Sequence, residues 1–200
     1  MDKIIFQSYR LINAFKAITI LMLSVFILFG CKEDVLPKPK AQLRLDYPKG
    51  KYEKIDAGYY SFDKNVLAEI VEDAKNKGQG DVVLDYPIMK GSIFITHKKV
   101  KNNLQKLMID AQKLSYEHAT QADGIKPSEF YNAEEKIFGM YYEVSGDAAS
   151  QAQFFVTDST DNFVTGSLYF YVKPNYDSIY PAAAYLQNDI RVIMESLRWK

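Results

Sequence analysis

Ala152-Gln-Phe-Phe-Val-Thr157-Asp-Ser-Thr-Asp-Asn162-Phe-Val-Thr-Gly-Ser-Leu-Tyr-Phe-Tyr-Val172 carries the clearest β pattern in the chain. Ala152, Phe154 and Val156 recur with a period of two, as do Leu168, Phe170 and Val172, and side chains two apart in a strand point to the same face. Between the two runs, Asp158-Ser-Thr-Asp-Asn162 supplies the residues that turns favour. The stretch therefore predicts an antiparallel hairpin.

Working outward, Phe138, Met140, Tyr142 and Val144 alternate with Gly139, Tyr141 and Glu143, which predicts a preceding strand with one apolar face. The polar run Ser145-Gly-Asp-Ala-Ala-Ser-Gln151 joins it to the hairpin, as a plain connection or as a recognition loop. Upstream, Tyr59-Tyr-Ser-Phe62, Val82-Val-Leu84 and Ser92-Ile-Phe-Ile-Thr96 are rich in β-branched and aromatic residues and predict strands, whereas Val66 to Val71 suits helix or strand. Lys77-Gly-Gln-Gly80 reads as a loop, and so does Asp123 to Glu135. Leu-Asp-Tyr-Pro occurs twice, at Leu45 to Pro48 and Leu84 to Pro87, and each copy is expected to end a strand and open a turn because proline restricts the residue before it.

Two segments have helical periodicity. Leu104, Leu107, Met108, Ala111, Leu114 and Ser115 form one stripe behind the capping candidates Asn102 and Asn103. Ala183, Leu186, Ile190, Ile193, Met194 and Leu197 form another, with Pro181 placed in the first turn. Strands that pair with sequence neighbours, interrupted by two amphipathic helices, predict an α+β fold: a mainly antiparallel sheet covered by helices. In layout it resembles the α/β/α sandwich of the PsbP and Mog1 group.

The chain has 200 residues, 48% hydrophobic, with 25 Lys plus Arg balancing 25 Asp plus Glu. That is enough for one core, and it leaves no excess of positive charge to neutralise a phosphate backbone, so nucleic acid is not an expected partner. Asp2, Lys3, Arg10 and Lys16 precede a charge-free run from Ala17 to Cys31. As a helix that run spans about 22 Å at roughly 1.5 Å per residue, short of a hydrocarbon core of about 30 Å. A secretory leader fits better than a permanent span. Leu28-Phe-Gly-Cys31 resembles a lipobox, with cleavage between Gly30 and Cys31 and acyl chains such as palmitate on the Cys31 sulfur. Cys31 is the chain's one cysteine, so it has no intramolecular disulfide to make. Residues 1–30 are thus expected to be the signal peptide, 31–41 a lipidated, proline-stiffened tether, and 42–200 one globular domain. Lys32-Glu-Asp34 resembles the surface-export signal of Bacteroidetes lipoproteins and equally suits a solvated linker.

A hydrolase needs a nucleophile with a base in reach, yet only His97 and His118 are available as histidine bases and no Gly-x-Ser-x-Gly elbow occurs. No cluster has metal-ligand spacing, and the glycines make no phosphate-cradling loop. The expectation is a non-catalytic protein without a cofactor. Fifteen tyrosines, concentrated in Tyr141-Tyr142, Tyr169-Phe-Tyr171, Tyr176, Tyr180 and Tyr185, suit packing first and a glycan or peptide surface second.

Several blocks resemble the gliding motility lipoprotein GldD family of Bacteroidetes: Leu36 to Pro48, Asp110-Ala-Gln-Lys-Leu114, Ala149 to Thr160, Gly166 to Ser178 and Pro181-Ala-Ala-Ala-Tyr185. The resemblance implies a lipid-anchored envelope protein, in the outer membrane, that assists or stabilises the type 9 secretion and gliding machinery together with other envelope lipoproteins. It carries over one functional position, Cys31, beside which Phe29 departs from the usual small residue. A surface lipoprotein that binds a glycan or peptide is the alternative reading.

Overall fold

The computed structural model describes residues 16, 18, 19, 22, 45–71, 80–118, 122–172 and 175–200. Contacts divide the chain into two compact units, Met1–Lys40 and Ala41–Lys200. In the first, Lys16, Ile18, Thr19 and Met22 are helical, and no helix among the described residues is long and apolar enough to cross a membrane.

The second unit is built on a seven-stranded sheet of order β3-β4-β5-β9-β8-β7-β6, antiparallel throughout. The strands are β3 Glu69–Val71, β4 Val82–Tyr86, β5 Gly91–Lys99, β6 Ala122–Asn132, β7 Ile137–Gly146, β8 Ala152–Thr157 and β9 Asn162–Phe170. A second sheet holds β1 Tyr52–Asp56, β2 Tyr60–Asn65 and β10 Arg198–Trp199 in the order β1-β2-β10. The helices are α1, Leu104–His118, and α2, Tyr176–Ser196. This is an α+β fold with a mainly antiparallel sheet.

The hairpin forms as its sequence predicts, with Ala152 opposite Leu168 and Thr157 opposite Phe163. Asp158 makes its turn by accepting from the backbone N–H of Thr160, Asp161 and Asn162 at 2.8–2.9 Å. Burial opposes ionisation of that carboxyl, but those bonds and one from Asn162 Nδ2 outweigh it and hold Asp158 below the usual carboxylate range.

Every residue of β8 is buried, so the strand must be covered on both sides. Phe154 and Val156 join the main core with Ile93, Ile95, Leu168, Leu186, Ile190 and Ile193. Phe155 points the other way, into a smaller cluster with Leu107, Tyr142 and Phe163. Helix α2 and the small sheet cover the first face, and α1, crossing from β5 towards β6, covers part of the second. The same two-sidedness corrects the reading of β7 as a strand with one apolar face: Tyr141 packs in the main core and Tyr142 beneath α1.

Other expectations change for physical reasons. Asp123 to Glu135 is not a loop but mostly β6, an edge strand whose polar residues face solvent; Pro127 is tolerated there because an edge strand leaves one row of donors unused. Val66-Leu67 is a turn and Glu69–Val71 a short exposed strand, which resolves the ambiguous segment as β. Leu84 to Pro87 does end a strand and open a turn, at the short 3-10 helix Pro87–Met89, whereas Leu45 to Pro48 has no regular structure. Helix α2 begins five residues before Pro181 because Asp147 Oδ1 accepts the Tyr176 N–H at 2.8 Å and supplies the missing first-turn partner. The α1 stripe is narrower than its sequence suggests: Leu107 and Ser115 are buried, whereas Met108 and Leu114 are about two-fifths exposed.

Gly139 lies where the sheet tolerates no side chain, since an added Cβ would sit 1.9 Å from the Phe155 carbonyl oxygen. Gly139→Ala is expected to lower unfolding free energy by about 1–3 kcal/mol, as overpacking does. Urea unfolding of the purified protein measures this, and a change below about 0.5 kcal/mol, the size of an ordinary surface substitution, would contradict it.

Candidate functional site

The alternation of β6 against β7 builds a cleft. Lys126 lies opposite Glu143, Ser128 opposite Tyr141 and Phe130 opposite Gly139, so all six are on the α2 face of the sheet. Helix α2 adds Arg191, Met194 and Glu195, and together these elements enclose about 190 Å³ with Glu129 on the rim. Arg191 Nη2 donates to Glu143 Oε2 at 2.6 Å, and the guanidinium carbon lies 5.0 Å from the centroid of the Tyr141 ring. Tyr141 is only 5% exposed, and its hydroxyl has no hydrogen-bond partner. A buried polar group left unpaired costs about 1–3 kcal/mol, which makes this hydroxyl the least settled group of the wall. Burial pushes the phenol well above its ordinary pKa, so it stays an O–H donor at physiological pH. The lining has charges of both signs.

On the same side of the sheet, a buried polar cluster ties the entering chain to α2. Asp189 accepts from Tyr52 Oη at 2.7 Å and from Asn65 Nδ2 at 3.0 and 3.2 Å. Asn65 Nδ2 also donates to Tyr185 Oη at 2.9 Å, and Tyr185 Oη donates to the Pro48 carbonyl at 2.9 Å. The buried Tyr86 hydroxyl lies beside the same carboxylate but outside hydrogen-bonding geometry. Desolvation raises the Asp189 pKa and the surrounding donors only partly offset it. The cluster is structural: through Tyr185 it fixes Tyr47 and Pro48, in the stretch that leads into β1, against α2.

The residues singled out in the sequence fall elsewhere. Cys31, its neighbour Gly30 and Lys32, Glu33 and Asp34 lie outside the described residues. His97 is buried and structural: Nε2 pairs with Asn162 Oδ1 at 2.8 Å and the ring stacks on Tyr59 at 4.4 Å. His118 ends α1. The run Ser145 to Gln151 is a folded connection, its Gln151 amide donating to the Gly146 and Ala148 carbonyls at 3.1 Å, while Asp147 starts α2. Among the described residues no group of three or more His, Cys, Asp or Glu is placed to hold a metal ion.

Of the tyrosines, Tyr141 and Tyr142 point to opposite faces and Tyr185 holds Pro48. Tyr171, largely exposed, donates to Asp85 Oδ1 at 2.5 Å beside Ser92. Sequence reasoning missed Lys126, Arg191 and Glu143 altogether. The one available signal was the alternation Lys126, Ser128, Phe130, hidden by the loop-like composition around it.

The described domain is thus of the α+β class, with a recess lined by charges of both signs between α2 and β6. The chain belongs to the gliding motility lipoprotein GldD family, whose model matches residues 32–199. No individually curated protein matches it. The family makes it a lipid-anchored envelope protein of gliding motility, and the family is not one of known enzymes.

A carboxyl whose pKa is raised on folding favours the folded state most when protonated, so its contribution falls as pH rises above the unfolded value. The unfolding free energy of the wild type minus that of Asp189→Asn is therefore expected to fall as pH climbs from about 4, the ordinary carboxylate value. Denaturant titrations across that range check the sign. A difference that stayed flat or grew would contradict the burial argument.

Proposed function

We propose that this chain is a non-catalytic component of the gliding apparatus, held at the outer membrane by acyl chains on Cys31, that assists or stabilises the type 9 secretion and gliding machinery through contacts with other envelope lipoproteins. The observation that carries the reading is the extent of the family match: it takes in the described domain as far as Trp199 and starts one residue after Cys31. Release between Gly30 and Cys31 would leave Cys31 as the acylated first residue, and Lys32, Glu33 and Asp34 as the charged start of the tether, where they serve as a surface-export signal. One acyl chain gives marginal attachment at about 0.8 kcal/mol per buried methylene, and further chains make it stable. A domain that acts by contact needs a rigid body, and two covered sheet faces supply one.

A second reading, binding of a peptide or glycan ligand, is favoured by the α2/β6 cleft with its charges of both signs. The two readings are compatible, since a scaffold can recognise its partner through a cleft.

Deletion of the gene is expected to abolish spreading and reduce export of secreted cargo, both restored by the wild-type gene. Cys31→Ser should restore neither, and should leave the protein unlabelled by fatty acid and absent from the membrane fraction. Normal spreading together with normal export in the deletion strain would overturn the machinery reading. Full lipid labelling of Cys31→Ser would overturn the anchor.

A further inference from the structure

We propose that the domain lies on the bilayer through the part of its sheet that α1 leaves bare, and this rests on the lipid-anchor reading above. Helix α1 packs over β8 and β9, so the same face of β3, β4 and β5 has no helical cover. Val71, Phe94 and Tyr171 stand exposed there: register places Val71 beside Val83 and Val83 beside Phe94, and the Tyr171 hydroxyl reaches Asp85 on the same face. The edge strand β3 adds Ile70, and the turn after β4 adds Ile88, which is 78% exposed. Apolar side chains gathered in this way, rather than scattered singly, mark an interaction surface.

The point where the anchored chain arrives selects the bilayer as the occupant. Tyr47 and Pro48 are held at Tyr185, which also accepts from Asn65 Nδ2; the next residue, Val66, bonds back to the Lys51 carbonyl, and β3 follows at Glu69. The tether therefore reaches the domain beside the β3 edge. Leu45 and Val66, both about half exposed, carry the apolar surface up to that point. Cys31 lies sixteen residues before Tyr47, so the tether spans at most about 58 Å at roughly 3.6 Å per residue, and the domain stays within reach of the membrane. A face with weak affinity for lipid then remains engaged, because tethering makes its binding an intramolecular event.

The polar groups of the face set its depth. Glu69 lies opposite Asp85, whose Oδ1 accepts from the Tyr171 and Ser92 hydroxyls. Two carboxylates are costly in hydrocarbon, so the face rests among the headgroups, where the apolar ring and polar tip of tyrosine are both satisfied. Lys49, Lys51 and Lys90 are exposed along the same margin, next to Pro48, Val66 and Ile88 in turn. Their stems lie along apolar surface while the ammonium groups meet lipid phosphates. A stacked sugar is disfavoured, because the Phe94 and Tyr169 rings meet edge to face at 75° and offer no flat platform.

The test uses the full-length lipoprotein in vesicles of phosphatidylethanolamine and phosphatidylglycerol that carry a nitroxide-labelled lipid. Acylation blocks the Cys31 sulfur, so Ile88→Cys and Tyr131→Cys each offer a single thiol for a bimane fluorophore. Both are surface positions, 78% and 70% exposed, the second on the opposite edge strand β6. Nitroxide is expected to quench the label at position 88 at least threefold more than the label at 131. Adding Ile70→Glu and Val71→Glu to Ile88→Cys should bring quenching down to the level at 131, at unchanged circular dichroism and with the protein still floating with the vesicles. Equal quenching at the two positions, none at 88, or undiminished quenching in the glutamate variant overturns the proposal, and flotation with the vesicles then leaves the anchor reading standing. Protection of the label at 88 from iodide in lipid-free detergent, rising with protein concentration, gives the face to a second copy and also overturns it. A wild type that takes up bimane or fails to float overturns the anchor and the proposal together.

Discussion

The whole domain follows from one constraint: β8 and its neighbours are apolar on both sides. A strand that buries Phe154 and Val156 on one face and Phe155 on the other must be covered twice, and 160 residues of one compact unit supply that cover with two helices and a three-stranded sheet. The covers differ. Helix α2 lies in the main core, where Leu186 and Ile190 are fully buried, while α1 rests on a smaller cluster around Phe155 and Phe163. Because the sheet is long and the helices are few, its outer strands are left partly bare, and the cleft forms where α2 stops short of the edge strand β6.

A rigid, double-covered sheet holds Tyr141 in place from below, and the register of β6 against β7 brings Lys126 beside Glu143 and Ser128 beside Tyr141. Helix α2 then lays Arg191 across the ring. None of these side chains belongs to a motif. Their meaning comes from three elements converging, while the polar cluster around Asp189 fixes the opposite end of the same helical turn to the entering chain.

Legibility in the sequence tracked burial. The β8–β9 hairpin could be read because both its periodicity and its Asp158 turn are strong, and both helices could be read because a 3.6-residue stripe survives in each. Strand β6 could not: an exposed edge needs no apolar face, so Ala122 to Asn132 carries the composition of a loop. Strands β1 and β10 carry too few buried residues to be seen, and Pro181 misplaced the start of α2 because its N-terminal partner, Asp147, is distant in sequence. Cys31 is proposed as the lipid site from a local motif alone, whereas Lys126, Tyr141 and Arg191 become neighbours only through register and helix placement.

The β8–β9 hairpin lies in the doubly covered middle of the sheet and β6 at its free edge. Amide hydrogen exchange on the purified lipoprotein tests it most directly. The slowest amides should fall in β8, β9 and β5, with the outward-facing amides of β6 exchanging orders of magnitude faster. Uniform protection across β6 and β8, or rapid exchange through the hairpin, would contradict the arrangement on which the cleft depends.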